Sequence, residues 1–186
     1  MKLIFSILLV VSLWTDSVLL DAYRHEDMSV WKACVESADS VRSQYSELLY
    51  EYGLCGYMVD REKESAGPYV ERFKQHVEAQ KQTLPAGHYE MYMSAVYVYE
   101  LRLHRSIHPL KAMNLAKEAA RLAPEDPLTL SYYGTCLYYA PKPFGSKQES
   151  LKWFEKAKTY FADKQWRWCW VREANQMYIH TIMQQK

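Results

Sequence analysis

From Asp27 onward the apolar residues recur at steps of three and four, and no segment sustains the period-two alternation of a strand. That periodicity restricts the chain to amphipathic helices packed on one another, an all-α fold. Trp31, Cys34, Val35, Ala38, Val41, Tyr45, Leu48, Leu49 and Tyr52 predict one long helix, capped by Asp27 and stopped at Gly53. A polar loop containing DREKES follows to about Gly67, and Pro68 opens the next helix. Further helices are expected over 88–106, 109–123, 127–140, 146–162 and 165–183. They are separated at His108-Pro109, at Pro124 to Pro127, at the APKPFG insert and at Asp163-Lys164. The expected architecture is about seven helices in antiparallel pairs joined by short breaks. QWRWCW reads briefly as a strand, but its helical flanks outweigh six residues.

The N-terminus carries a different signal. Lys2 precedes an apolar run from Leu3 to Trp14, and Asp16 and Asp21 interrupt it early. This is the pattern of an export leader over residues 1–22, cut at the small residues Thr15 to Ser17 or after Ala22. An uncleaved anchor is the alternative, although spanning a bilayer takes about 20 apolar residues. The expected location is the periplasm or cell envelope, with secretion as the alternative. In an oxidising compartment Cys34, Cys55, Cys136 and Cys169 could pair in three ways. Cys34 to Cys55 is the least strained choice, and four small core residues are the alternative reading.

Little in the chain points to catalysis or to a metal. There is no HExxH, GxSxG, GxGxxG or P-loop pattern and no CxxC. His104 and His108 stand four apart, but no acid or cysteine sits at a companion spacing, and His108 precedes a proline. No cofactor is expected, and the function classes favoured are not enzymatic. The formal charge of +1 argues against a nucleic-acid partner. Trp166, Trp168 and Trp170 cannot form one platform, because helical residues two apart point about 200° from each other.

The C-terminal half repeats itself. LKAMNLAKEAARLAPEDP carries Ala112, Ala116 and Ala119 ahead of Pro124, after a helix bearing Val96, Tyr99 and Leu103. The next unit begins at Pro127 with Leu130, Tyr133, Gly134 and Leu137, and continues as Ser150, Phe154 and Ala157 beyond the insert. A partial third unit starts at Gln165, with Trp168 in place of Leu130. This spacing resembles the tetratricopeptide repeat, a helix pair of about 34 residues. Glu100 departs from it, standing where that family prefers a small residue. PKPFGSKQESLKWFEKA further resembles exported bacterial tetratricopeptide-like proteins, with Ser146 where a second Gly is common.

The resemblance implies a short α-solenoid with a helix pair as cap or divergent repeat over 23–92. Repeats would follow over 93–126, 127–164 and, in part, 165–186. It also implies that Gly134, Ala112, Ala119 and Ala157 mark close helix crossings, with Tyr99, Tyr133, Phe154 and Trp168 filling wider gaps. In that family the first helices of each pair line a concave groove. The positions so implied are Ser94, Tyr97, Leu101, His104 and Arg105, then Leu128, Ser131, Thr135, Tyr138 and Tyr139, then Trp166, Cys169 and Glu173. Packing of Tyr138 and Tyr139 beneath the insert is the alternative for those two. The expected function is a non-enzymatic scaffold holding a protein or peptide in this groove, through Tyr97, Leu101, His104, Arg105, Ser131, Thr135, Tyr138, Tyr139 and Trp166. The alternative is a periplasmic solute-binding or transporter-associated component that encloses a small ligand and assembles into an oligomer.

Overall fold

A computed structural model describes residues 14–36, 41–42, 45, 47–104 and 109–185. Among them are nine α-helices, so the chain is all-helical. Their order is α1 (Asp16–Arg24), α2 (Met28–Glu36), α3 (Glu47–Arg61), α4 (Ala66–Ala79), α5 (His88–Arg102), α6 (Pro109–Leu122), α7 (Pro127–Tyr139), α8 (Lys147–Tyr160) and α9 (Trp170–Gln184). The extended pieces are β1 (Trp14–Thr15) and β2 (Val41–Arg42), which pair in parallel over two residues each. No helix among the described residues is long and apolar enough to cross a membrane.

The expected helix running from Asp27 to Gly53 is instead two helices, α2 and α3, and the expected loop after Gly53 is helical to Arg61. The reason is what lies across from Gly53. A Cβ there would overlap the Trp31 ring and come within 3.0 Å of Trp170 Cζ2. Gly53 is therefore a crossing point inside α3 rather than a helix stop. Glycine in a helix interior costs about 1 kcal/mol relative to alanine, and the close seating of a fully buried Trp31 offsets it.

α1 occupies part of the segment read as a leader. Leu19 and Leu20 are buried to within 1% and Ala22 to 7%. The Trp31 indole donates to the Leu19 carbonyl at 2.7 Å, and the Tyr50 hydroxyl donates to Asp16 Oδ1 at 2.5 Å. Arg24 pairs with Glu173 at 2.7 Å and ties α1 to α9.

Further along, the helix limits follow the sequence periodicity to within a turn, as ends usually do. α6 buries a stripe of Ala112, Ala116, Ala119 and Ala120. α7 starts at Pro127 behind Asp126, whose Oδ1 accepts from the Thr129 N–H at 2.9 Å. Ser146 caps α8 by accepting from the Glu149 N–H, in the S-x-x-E pattern. Gly134 lies against the fully buried Phe154, where an added Cβ would sit 2.9 Å from the ring. Glu100, the residue out of pattern, is buried with Lys74 Nζ at 3.2 Å.

The third unit departs more. Residues 165–169 are not α-helical: Lys164–Trp166 form a 3₁₀ turn, and α9 begins only at Trp170. The turn changes the phase, so Trp168, expected in the core, is 37% exposed with Arg167 over its ring. Trp170 is the buried ring instead. The Cys34–Cys55 pairing weighed from the sequence is absent, and no disulfide joins any of the four cysteines. Burial raises the thiol pKa to about 11 for Cys34 and Cys136 and about 12 for Cys55 and Cys169. They behave as small core residues, not as reactive thiolates.

Candidate functional site

A cavity of about 100 Å³ opens between α1, α3, α5, α7 and α9. Tyr23 comes from α1, Leu49 and Tyr52 from α3, and Met91 from α5. α7 gives Leu128, Ser131, Tyr132 and Thr135, and α9 gives Trp170, Val171, Ala174, Met177 and Tyr178. Alternate helices thus line it, while α2, α4, α6 and α8 do not reach it.

Its walls are aromatic and neutral. Tyr52 lies 5.5 Å from Trp170 and 5.9 Å from Tyr132, ring centroid to centroid, and Tyr23 lies 5.4 Å from Trp170. No Asp, Glu, Lys, Arg or His is among the lining residues. Burial pushes the phenols of Tyr52 and Tyr132 well above their ordinary pKa, so both stay protonated near neutrality. Such a lining offers dispersion and an occasional hydroxyl, but no general base. Among the described residues no cluster of three His, Cys, Asp or Glu is placed to hold a metal.

The residues singled out from the sequence fall into three places. Ser131 and Thr135 line the cavity; Ser131 is buried, and the Thr135 hydroxyl donates to its carbonyl at 3.0 Å. Tyr138 and Tyr139 stand nearby around Tyr178, at 5.3 and 6.1 Å, and the Tyr178 hydroxyl bonds to that of Tyr139. Tyr139 is 68% exposed, so it does not pack beneath the insert. Tyr97, Leu101 and His104 form a second place. Lys111 Nζ sits 4.3 Å over the Tyr97 ring, Leu101 is exposed, and His104 contacts Lys63 at 2.8 Å. Arg105 lies outside the described residues, as does His108.

Trp166 is in a third place. Its ring stacks on Tyr45 at 5.8 Å, in an open cleft of about 380 Å³ shared with Glu125, Asp126, Tyr160 and Asp163. Of the other groove positions, Leu128 lines the cavity. Ser94 is fully buried and bonds to the Ala112 carbonyl and the Tyr132 hydroxyl. Cys169 is buried, and Glu173 is held by Arg24. The expected groove set is thus spread over the cavity, the α5 face and the Trp166 cleft.

Sequence reasoning missed Tyr23, Tyr52, Tyr132, Trp170 and Tyr178. Tyr52 looked like one more residue on an amphipathic stripe, and Tyr23 fell next to the leader. The repeat register assigns the neighbouring Tyr133 to a gap between helices, and it packs half-buried against Trp153 at 4.9 Å. The rings come from α1, α3, α7 and α9, whereas α5 contributes Met91. Comparison with family models, curated proteins and solved structures returned no match for this chain.

Proposed function

We propose that the protein is an exported, non-enzymatic scaffold whose helix pairs stack in the manner of tetratricopeptide repeats, and that it captures a peptide or partner domain at the aromatic cavity. The observation that carries this reading is the cavity's size and chemistry together. About 100 Å³ of neutral, aromatic-walled space suits one apolar side chain, since a cavity of roughly 150 Å³ takes a benzene. Lining by alternate helices is what the inner layer of a helical stack would give. Exposed Tyr139 and Met177 beside it supply the rim on which the rest of a peptide can lie.

The solute-binding alternative asks for more room, because ligand pockets run to roughly 300–1,000 Å³. Tyr97, Leu101, His104, Arg105 and Trp166 would then be outer contacts of a larger partner, not of the anchored side chain. Cross-linking and mass spectrometry on the envelope fraction tests the scaffold reading, with wild type beside Thr135→Leu and Met177→Glu. Loss of the same cross-linked partner from both variants is expected. Equal recovery of every partner by all three proteins sinks the cavity as the capture site.

A further inference from the structure

The leader pattern overlaps a helix that the folded domain uses. Asp16 is 7% exposed and accepts from Tyr50; Leu19 and Leu20 are buried, and the Leu19 carbonyl receives the indole of a fully buried Trp31. A cut after Ala22 would remove all of these together. Two large apolar side chains would leave the core, and the Trp31 N–H would be stranded without its acceptor, a loss that buried donors tolerate poorly. A cut after Ser17 would still take away Asp16 and the Tyr50 bond. Asp16 is the first residue of α1, and Thr15 just before it is small and exposed.

We infer that α1 belongs to the mature domain and that the leader is cleaved no later than the Thr15–Asp16 peptide bond. This rests on the export reading above. The step is hydrolysis by a leader peptidase of the export pathway. Water supplies hydroxide to the carbonyl carbon of the residue before the cut and a proton to the nitrogen after it, and the amide bond between them breaks. At Thr15–Asp16 the two-residue pairing of β1 with β2 is given up, which is little beside the core contacts of α1. The apolar run from Leu3 to Trp14 leaves, and every buried residue of α1 stays.

Two measurements test this. The full chain is expressed in an exporting bacterial host, and the exported protein is read by N-terminal sequencing and intact mass. A first residue after the apolar core of the leader and no later than Asp16 is expected. A start at Ser17, Val18 or Tyr23, or retention of Met1 on exported protein, overturns the boundary. A chain that never leaves the cytoplasm sinks the export reading and the cut with it, whereas an exported chain starting at Tyr23 sinks the boundary alone. In parallel, leaderless chains starting at Asp16 and at Tyr23 are melted. The shorter one is expected to lose more than about 10 °C or its cooperative transition. Because it could fail to fold outright, Leu19→Ala in the longer chain gives a second reading, with a drop of roughly 5–15 °C expected. Equal melting of the two chains, or an unchanged Leu19→Ala variant, overturns the role of α1.

Discussion

The N-terminal region (α1–α4) and the C-terminal region (α5–α9) differ in how widely they spread their close helix crossings. Between α5 and α8 the crossings rest on small residues spaced along a helix, Ala112, Ala116 and Ala119 in α6, with Gly134 seated against the Phe154 ring. Asp126 and Ser146 cap the ends there. In the N-terminal region one large ring does the corresponding job. Trp31 inserts over Gly53, meets Tyr50 edge-on at 5.5 Å and reaches Trp170 at 5.5 Å. Regular spacing distributes stability over many modest contacts, whereas an inserted ring concentrates it.

That contrast can be broken by substitution. Trp31→Ala should have the largest effect, about 3–5 kcal/mol by chemical denaturation, because a fully buried ring leaves an unfilled cavity. A cost below about 1 kcal/mol would mean that the ring is not the organising contact. Gly53→Ala comes next, at about 2 kcal/mol destabilising, since overpacking costs typically 1–3 kcal/mol and outweighs the helix propensity gained. Gly134→Ala should be milder, about 1 kcal/mol, because an added Cβ 2.9 Å from the Phe154 ring overlaps less than one at Gly53 overlaps Trp31. If Gly134→Ala cost more than Gly53→Ala, the comparison would be reversed. Asp126→Ala should cost about 1 kcal/mol as a lost cap, with His88, 3.3 Å from Asp126, losing its partner as well.

A smaller effect sharpens the contrast through pH. Glu51 in α3 is 2% exposed, 2.9 Å from His76 Nδ1 and 3.5 Å from Arg72 Nε, both in α4. Burial raises its carboxyl pKa; His76 and Arg72 oppose that, and Glu47 adds to it. A carboxyl that is harder to ionise when folded costs stability above its folded pKa. The cost fades as pH falls through that value toward the ordinary carboxylate range. Glu51→Gln should therefore raise the urea midpoint at pH 8 and lose that advantage by pH 4. A Gln variant less stable at pH 8 would show that the pairing with Arg72 and His76 outweighs desolvation.

The same contrast explains what could be read in advance. α5 to α8 were legible because their start signals are local: Pro127 after Asp126, and Ser146 three residues before Glu149. α3 was not, because a glycine inside a helix and a glycine ending one look alike until the ring opposite is known. Trp168 was misplaced because one 3₁₀ turn shifts the helical phase and exchanges it with Trp170. At the candidate site, the repeat register points to Ser131 and Thr135, which line the cavity, but not to its aromatic walls. Tyr23, Tyr52 and Trp170 meet across 147 residues of chain, and no local spacing encodes that approach.

By itself, the order of residues determined that this protein is helical, where most helices of its C-terminal half begin and end, and which small residues their crossings bury. Those properties depend on neighbours three and four positions apart. Tertiary structure alone decided that Gly53 lies within a helix, that the four cysteines remain thiols, that α1 is part of the core, and which aromatic rings share one cavity. Each of those depends on what arrives from a distant segment, and close packing admits only side chains that fit the space left by that neighbour.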